Sequence, residues 1–300
     1  MKRFKALVTG GTGFIGSHLV ESLLNDGLET HIIIRTDSNL DVLDRSNPSL
    51  HIHIYDGTTS NIINIFKKNK PDIVFHLAST VISEHTSNDI ESIIKSNILL
   101  GAQILEAMHV NDIDKLINTS TFWQNYNNDD YNPVCLYAAT KEAFENIIRY
   151  YVEINSLKVI NLKLFDTYGP NDKRGKLFTI LRNAVKKNKT LDLSPGEQLI
   201  DLVYIDDVIN AFRVSAVRLF EKSSKIKLEN FVVSSGYPLS LKTIVSKFYK
   251  SLDEEVNINW GGKKYKDRQV MTPWNKGKIL PNWEPSISLA DGIDLVIDNQ

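Results

Sequence analysis

A glycine-rich turn near the start of the chain constrains the fold more than any other feature. Residues 6–9 form a short apolar run, and Gly10, Gly13 and Gly16 follow it at intervals of three, at the start of a helix-like segment. Glycines so placed permit a tight turn, let the backbone approach a pyrophosphate, and let the helix pack closely on a sheet. The N–H groups at a helix N-terminus also attract an anion. A purely structural turn is the alternative, but we predict dinucleotide binding by Gly10, Thr12, Gly13, Phe14, Ile15 and Gly16.

The order of apolar segments predicts the fold class. Strand-like runs cover 4–9, 30–34, 51–55, 72–76, 115–119 and 158–165, and helix-like segments cover 13–25, 61–69, 89–110 and 136–154. Strands that alternate with helices indicate a parallel sheet with helices on both faces. After about residue 166 this alternation ends, which favours a second, smaller lobe. We therefore predict an α/β, doubly wound Rossmann domain (1–169 and 198–236) and a C-terminal substrate-binding lobe (170–197 and 237–300).

Composition excludes several classes of function. Thirty-five Lys and Arg against thirty-six Asp and Glu give a net charge of −1, which argues against nucleic acid or a membrane surface as a partner. Cys135 is the single cysteine, so neither an intrachain disulfide nor a cysteine zinc site can form, and we predict no bound metal. No apolar run approaches the ~20 residues of a membrane helix. The basic start is followed too soon by glycine to be a signal peptide, so we expect a cytoplasmic protein.

The end of the second strand-like run bears on the choice of cofactor. An acidic residue there would bind the ribose 2′-hydroxyl of NAD. Arg35 follows the run instead, with Asp37 two residues later. A guanidinium pairs with a 2′-phosphate, whereas a carboxylate would repel it. Arg35 therefore favours NADP(H) over NAD, the alternative being a solvated arginine after a strand.

Tyr137 and Lys141 are four residues apart and lie on one face of a helix-like segment. The same face continues through Phe144, Ile148 and Tyr151, so the lysine lies on an apolar stripe. A phenol with its usual pKa near 10 exchanges protons poorly at neutral pH, and an adjacent ammonium favours the phenolate. After a glycine turn and five strands, this pair indicates acid–base chemistry at Tyr137 rather than a chance surface pair.

Asn97 lies on the predicted inward face of the 89–110 helix, which runs through Ile90, Ile94, Asn97, Gly101 and Ile104. A buried amide must find hydrogen-bond partners. A position beside the active site and a self-satisfied place in the core are both compatible with the sequence.

Together these residues resemble the NAD-dependent epimerase/dehydratase family, the extended short-chain dehydrogenase/reductases that act on nucleotide sugars. The resemblance covers essentially the whole chain. It is also carried by the segments 76–78 (His-Leu-Ala), 165–170 (ending Tyr-Gly-Pro), 203–208 and 282–285 (Asn-Trp-Glu-Pro).

The resemblance implies roles for individual residues. Tyr137 would exchange a proton with the sugar oxygen, Lys141 would hold the nicotinamide ribose, and a strand-end hydroxyl would bind the same sugar oxygen. Of Thr119, Ser120 and Thr121, the last matches the family position best. The second lobe would hold the nucleotide diphosphate. Further cofactor contacts are implied for Asp56, Gly57, Leu77, Ala78 and Asn97, and substrate contacts for Thr121, Phe122, Asp166 and Arg268. Asp56 is equally explained as an acidic turn residue.

Three departures from the family pattern narrow the reaction. The family's dehydratases carry Asp-Glu directly after the catalytic threonine, and Phe122-Trp123 here cannot do that acid–base work. Asp166 replaces the usual asparagine before the Tyr-Gly-Pro segment. Ile200 replaces an arginine that contacts the diphosphate in many members, so that role must fall to Arg268 and to cations such as Lys163, Lys173 or Arg174.

The choice between reductase and epimerase rests on Arg35 and on the segment between Thr121 and Tyr137, which lacks the Val-Tyr-Gly of many epimerases. The chain is similar to the group that contains abequose and paratose synthases. We expect an NADPH-dependent 4-ketoreductase of a CDP- or dTDP-linked 4-keto-6-deoxy or 3,6-dideoxy sugar. An epimerase with bound NAD, and more remotely a non-catalytic NADP sensor, are the alternatives. Family members often dimerise through helices such as 89–110 and 136–154, so a homodimer is implied.

Overall fold

The computed structural model describes residues 4–221, 226–254 and 256–298. In chain order its strands are β1 (Lys5–Thr9), β2 (Glu29–Ile34), β3 (Leu50–Ile54), β4 (Ile73–His76), β5 (Lys115–Thr121), β6 (Lys158–Leu164), β7 (Asp166–Tyr168), β8 (Leu191–Leu193), β9 (Leu199–Ile200), β10 (Leu202–Tyr204), β11 (Leu228–Val233), β12 (Leu239–Ser240) and β13 (Ile258–Trp260).

The α-helices are α1 (Phe14–Asn25), α2 (Thr59–Asn69), α3 (Ile90–Ile94), α4 (Leu100–Val110), α5 (Leu136–Ile154), α6 (Leu177–Lys187), α7 (Ile205–Phe220), α8 (Leu241–Leu252) and α9 (Leu289–Asp298). Within the described ranges, none of them has both the length and the apolar character that crossing a bilayer requires.

Seven strands form one sheet in the order β3-β2-β1-β4-β5-β6-β11, and every pairing in it is parallel. This confirms the predicted doubly wound α/β fold. Strand order changes direction between β1 and β4, because the chain moves outward first to β2 and β3 and then returns. In such sheets the crevice outside the carboxyl ends of the strands at this switch point is where ligands bind.

Apolar side chains on both faces of the sheet explain why its strands are nearly continuous hydrophobic runs. On one face Leu19 and Leu23 of α1 and Phe212 of α7 are fully or almost fully buried. On the other face α2, α4 and α5 supply a second buried cluster that includes Phe66 and Phe144. The two layers of helices hold the carboxyl edge of the sheet rigidly in place.

The remaining strands form short pairs outside the large sheet. β8 pairs with β13, β9 pairs antiparallel with β12, and β7 pairs with β10. The β9–β12 pair joins a strand assigned to the dinucleotide domain to one assigned to the substrate lobe, so the two units share an edge. The exact division of the chain stays a prediction.

The Asn-Trp-Glu-Pro segment is anchored to α7 by Asp207. The buried Asp207 carboxylate accepts hydrogen bonds from Ser286 N at 2.9 Å, from Ser286 Oγ at 2.7 Å and from Ile287 N at 3.1 Å. Trp283 Nε1 donates to the Asp207 carbonyl oxygen at 2.9 Å. Four hydrogen bonds to one residue therefore fix the C-terminal segment on the Rossmann domain.

The 89–110 segment is interrupted by a turn of π-helix at Lys95–Leu99, between α3 and α4. A π-turn inserts one extra residue and rotates everything upstream of it around the helix axis. The predicted inward face is therefore correct at Asn97, Gly101 and Ile104 and wrong at Ile90 and Ile94, which are exposed. Ile93 is buried in their place.

Candidate active site

The glycine turn between β1 and α1 has no room for side chains. Gly10 has φ +75°, and a Cβ there would lie 2.7 Å from the backbone nitrogen of Ala78. A Cβ on Gly16 would lie 2.0 Å from the carbonyl oxygen of Gly10. Gly13 is the N-cap of α1 and offers no side chain to the N–H groups of the first helical turn. This close, uncapped backbone fits a pyrophosphate.

A cavity of about 720 Å³ extends from the glycine turn over the carboxyl ends of β1, β2 and β4. Several predicted cofactor residues line it together: Gly10, Thr12, Gly13, Arg35, Gly57, Leu77 and Ala78. The sequence reading missed Ser38, Tyr55 and Lys95, which also line it. Size, shape and backbone chemistry are compatible with the adenosine half of a nicotinamide dinucleotide.

Arg35 lies on the wall of this cavity, directly after β2. Its Nε donates to Asp37 Oδ1 at 3.2 Å, and both side chains are more than two-thirds exposed. An exposed pair of this kind is worth little to stability, so the guanidinium is free to bind another anion. Asp37 itself is not among the residues that line the cavity.

Asp56 is exposed and does not line the cavity. Its Oδ1 accepts hydrogen bonds from Thr58 N at 2.8 Å and Thr58 Oγ1 at 2.7 Å. Thr58 is the N-cap of α2, so these bonds orient the residue at which the helix begins. These hydrogen bonds lower the pKa of the carboxyl. The geometry is that of an acidic turn residue, and an adenine contact by Asp56 stays a prediction.

A second, inner cavity of about 220 Å³ joins the start of α1 to the ends of β5 and β6. The predicted residues that meet around it are Gly10, Gly13, Phe14, Ile15, Gly16, Leu77, Thr121, Phe122, Tyr137, Lys141 and Asp166. Residues up to 156 positions apart in the chain, Gly10 and Asp166, thus converge on one small space, as a reaction site requires.

Tyr137 and Lys141 lie side by side on the buried face of α5. Lys141 is 2% exposed, and its Nζ donates to the carbonyl oxygen of Thr119 at 2.9 Å and lies 6.0 Å from the centre of the Tyr137 ring. The ring of Trp123 meets Tyr137 edge-on at 6.3 Å between centroids. Contacts with Thr119 and Trp123 therefore hold the pair in place.

Burial dominates the protonation of both groups. It raises the pKa of the Tyr137 phenol well above its usual value, although the hydroxyls of Thr121 and Ser79 act in the opposite direction. It lowers the pKa of the Lys141 ammonium to about 8, with the Glu145 carboxylate opposing the shift. The net shift at Tyr137 is thus opposite to the lowering expected from an adjacent ammonium. The phenol is a protonated hydrogen-bond donor in this state.

The three hydroxyl residues that end β5 point in different directions. Thr121 Oγ1 faces the inner cavity beside Tyr137 and accepts from the backbone nitrogen of Trp123 at 3.3 Å. Ser120 donates instead to the buried Gln124 and Glu145. Thr119 Oγ1 is buried without a partner among the described residues. All three residues line the inner cavity, and of the three hydroxyls that of Thr121 interacts with the Tyr137 phenol; a catalytic role for Thr121 stays a prediction.

Ser79 is a site residue that the sequence reading missed. It lines both cavities, its hydroxyl acts on the Tyr137 phenol, and its Oγ donates to Asn97 Oδ1 at 3.1 Å. The one available signal was its place directly after the His-Leu-Ala segment at the end of β4.

Asn97 lies one layer behind the cavities. Its Oδ1 accepts from Thr80 N at 2.7 Å, and its Nδ2 donates to Thr80 O at 3.0 Å and to Thr140 Oγ1 at 3.0 Å. The amide is fully satisfied, and it connects the π-turn to the loop after β4 and to α5. A direct contact between Asn97 and the cofactor stays a prediction.

The substrate side of the site is formed by aromatic and charged residues. Phe122 stacks on Phe165 at 4.5 Å and lines the inner cavity and an adjoining outer cavity of about 350 Å³. Asp166 also lines both cavities. Its pKa is raised, because burial outweighs the opposing effect of the Lys176 and Arg174 charges. Both cations line the inner cavity, and Arg174 also forms an ion pair with the buried Asp172 at 2.7 Å. Lys176 was missed from sequence.

The other expected cations differ in their placement. Arg268 lines the outer cavity, where it lies over the Tyr126 ring at 4.3 Å and donates to Asn132. Lys163 donates to Asn125 Oδ1 at 2.7 Å and lies over the Trp274 ring, away from the cavities. Lys173 is exposed and lines none of the three cavities described above.

Residues 266–275 reach across the mouth of the outer cavity. Lys266 forms an ion pair with Glu84 at 2.6 Å and donates to Ser83 Oγ at 3.0 Å. Asn275 and Asn128 exchange two hydrogen bonds, at 3.0 and 3.2 Å. With the Arg268–Asn132 contact, these exposed polar contacts form a rim that joins the C-terminal lobe to the loops after β4 and β5.

Over residues 6–227 the chain matches the NAD dependent epimerase/dehydratase family. The protein belongs to this family and is an enzyme of the class that acts on nucleotide sugars. It is 26% identical to a CDP-abequose synthase of Salmonella muenchen over 96% of this chain and 95% of the relative. It is 28% identical to the CDP-abequose synthase of Yersinia pseudotuberculosis, over 90% and 91% of the two chains.

Among solved structures, the UDP-glucuronic acid 4-epimerase of Bacillus cereus, in complex with UDP-glucuronic acid and NAD, superposes with a TM-score of 0.85 at 25% identity over 98% of both chains. The fold of the chain, and the position of its cavities at the switch point of the sheet, are thus consistent with its membership of this family.

Proposed function

We propose that the protein is an NADPH-dependent 4-ketoreductase that acts on a nucleotide-linked 4-keto-6-deoxy or 3,6-dideoxy hexose, in the synthesis of a surface polysaccharide. The observation that carries the proposal is Arg35 on the wall of the large cavity, directly after β2. A guanidinium there suits a 2′-phosphate, and Asp37 does not line the cavity. A reductase consumes its cofactor and must exchange it at each turnover, which suits a mainly exposed arginine.

The reaction adds a hydride and a proton across the C4 carbonyl of the sugar. When bound, the nicotinamide supplies the hydride. Tyr137 gives its proton to the carbonyl oxygen, and Thr121, whose hydroxyl acts on the phenol, donates a hydrogen bond to that oxygen as charge develops. Lys141 stabilises the phenolate until Tyr137 regains a proton from solvent.

The aromatic residues after β5 argue against dehydration and line the space proposed for the sugar. Phe122 and Trp123 line both the inner and the outer cavity, and neither can donate or remove a proton at carbon. They offer flat apolar surfaces to a deoxygenated sugar, which has fewer hydroxyls to hydrogen-bond. Lys176 in the inner cavity and Arg268 in the outer one are suited to the diphosphate, whereas Arg174 and Lys266 already pair with Asp172 and Glu84. The similarity of the chain to CDP-abequose synthases favours CDP over dTDP as the nucleotide of its substrate.

A 4-epimerase with tightly held NAD is the second candidate. The observation that favours it is the similarity to an epimerase that was crystallised with NAD and a UDP-sugar. Both candidates use Tyr137 and Lys141 in the same way, so the cofactor and the fate of the reduced form distinguish them.

We further propose a homodimer through α3, α4 and α5. The exposed large apolar residues on these helices are Ile90, Ile94, Val110, Tyr150 and Ile154, with Leu99 in the π-turn between α3 and α4. Such a concentration of apolar surface on neighbouring helices is typical of a subunit interface.

The test mixes the purified protein with NADPH or NADH and freshly made CDP- or dTDP-linked 4-keto-6-deoxy and 3,6-dideoxy sugars, and follows the absorbance of the reduced cofactor. Consumption of NADPH with a CDP-linked sugar supports the proposal in full. If no reduced cofactor is consumed while 4-hydroxy nucleotide sugars interconvert, the epimerase replaces the reductase. If neither reaction occurs, the reductase and the epimerase are both ruled out, and a different substrate or the non-catalytic NADP sensor takes their place.

A further inference from the structure

At the amino ends of β2 and β3, on the edge of the sheet opposite the cofactor cavity, three potential metal ligands converge. Glu29, His31 and His51 each present one ligand atom, and these three atoms lie within 4.8 Å of one another. His31 Nε2 lies 3.1 Å and His51 Nε2 lies 3.9 Å from the same oxygen, Oε1 of Glu29.

Strand geometry dictates this arrangement. Glu29 and His31 are two residues apart, so their side chains leave the same face of β2. His51 is the parallel partner of His31 on β3, so its side chain lies beside that of His31 on that face. The convergence is thus fixed by the backbone, and sequence reading missed it because the two histidines are separated by twenty positions.

His53 contacts His31 through the ring nitrogen of His31 that is not directed to Glu29. His31 is only 2% exposed, and its Nδ1 lies 2.9 Å from Nε2 of His53, which is also on β3. A histidine that binds a metal through one ring nitrogen commonly gives the proton on the other to a hydrogen-bond acceptor, which fixes the ring. His53 Nε2 is in the right place to be that acceptor. Burial lowers the pKa of His53 to about 4 and also lowers the pKa of His31.

We propose that Glu29, His31 and His51 form a binding site for a divalent transition metal ion, with zinc the best-suited ion. Two imidazoles and one carboxylate are a ligand set that zinc accepts, and a water molecule would occupy the fourth position. The site joins β2 to the edge strand β3. It lies away from the cofactor cavity, so it does not depend on the proposed function.

Three features of the structure oppose binding of the ion. Lys5 Nζ forms an ion pair with Glu29 Oε1 at 3.0 Å and must give up that oxygen. The His51 ring is stacked on that of His31, with centroids 4.7 Å apart, and must rotate to direct its Nε2 to the ion. The His51 side chain is 42% exposed, which leaves it room to rotate. Lys68 adds a further positive charge near His53.

The experiment titrates metal-free protein with zinc chloride in a calorimeter, and repeats the titration with cobalt chloride while recording the visible spectrum. We expect one ion per chain at micromolar concentrations and the intense visible absorption of four-coordinate cobalt(II). His51→Ala and Glu29→Gln should each weaken binding at least tenfold, and both side chains are exposed enough for the fold to survive. His53→Ala should weaken it by roughly 10-fold or more, through the orientation of His31. His109→Ala, at an exposed histidine on α4, is the matched control and should change nothing.

The Lys5→Gln variant tests whether zinc binds at this three-residue site or nonspecifically to histidines on the surface. Removal of the competing ammonium should tighten zinc binding severalfold, an effect that histidine-only binding does not predict. The proposal is overturned if the wild type binds no zinc at micromolar concentrations, if His51→Ala binds as the wild type does, or if Lys5→Gln leaves the affinity unchanged.

Discussion

Lys141 Nζ donates a hydrogen bond of 2.9 Å to the carbonyl oxygen of Thr119, and this bond ties the second turn of α5 to β5. The amine is almost fully buried, and the Tyr137 ring lies above it. Because an ammonium loses its hydration there, the pKa of Lys141 falls to about 8. The residue that the chemistry needs as a cation is thus one that folding disfavours as a cation.

The lowered pKa predicts a specific dependence of stability on pH. Unfolded lysine titrates near pH 10.4, so between about pH 8 and 10.4 the unfolded chain binds more protons than the folded one, and stability from this group rises with pH. From pH 8 to 9.5 the gain should be about 1.6 kcal/mol. Urea unfolding of wild type and Lys141→Met at these two pH values measures it. Lys141→Met should lack the rise, whereas Lys95→Met, at an exposed lysine, should retain it. Identical pH dependence in wild type and Lys141→Met would contradict the burial argument.

Tyr137→Phe should reduce kcat by about 10²–10⁴-fold, because it removes only the proton donor. Binding of NADPH, measured by fluorescence titration, should change little, because the aromatic ring and its contacts with Trp123 remain. Tyr150→Phe is the matched control, on the same helix at a side chain that is 60% exposed. Near-normal turnover in Tyr137→Phe would rule out the proposed role.

Arg35→Asp should shift cofactor preference toward NADH. A charge-assisted contact to phosphate is worth about 1.5–3 kcal/mol, so the ratio of kcat/KM for NADPH over NADH should fall by at least about tenfold. Arg45→Asp makes the same change of charge at an exposed residue that does not line the cavity, and it should leave the ratio unaltered. An unchanged ratio in Arg35→Asp would remove the basis for assigning NADP(H).

Asn97→Leu should lower the free energy of unfolding by about 3 kcal/mol, because it leaves both backbone groups of Thr80 without their side-chain partner. Urea denaturation checks this against Asn146→Leu, the same change at an exposed position of α5. Equal destabilisation of the two variants would show that the Asn97 network contributes nothing specific.

Sequence reasoning could predict the sheet and the centre of the site because both depend on short-range patterns. The apolar run followed by three glycines at residues 6–16 is a local pattern that predicts a strand, a tight turn and a helix. The four-residue spacing of Tyr137 and Lys141 is also local, and it places both side chains on one face of a helix. The approximate strand ends then bring Thr121 and Arg35 to the same edge of the sheet.

What the sequence could not predict depends on geometry that no local pattern encodes. The π-turn at Lys95–Leu99 shifts the phase of a helix without any change in residue type, so Ile90 and Ile94 were placed on the wrong face. Ser79 and Lys176 reach the site from loops, where backbone direction decides which side chain points inward. The sign of the pKa shift at Tyr137 depends on how completely the ring is buried, which only the packed structure reveals.

The rim formed by residues 266–275 and the anchor at Asp207 differ in strength, and this difference determines how the cleft opens. The Lys266–Glu84 pair is exposed to solvent, with side chains 48% and 70% accessible, and pairs of this kind contribute about 0–1 kcal/mol and weaken with salt. Asp207 holds its end of the lobe through several hydrogen bonds in a buried setting. Breaking the rim contacts therefore costs less free energy than breaking the Asp207 anchor, so we expect the C-terminal lobe to separate from the loops after β4 and β5 before it separates from α7.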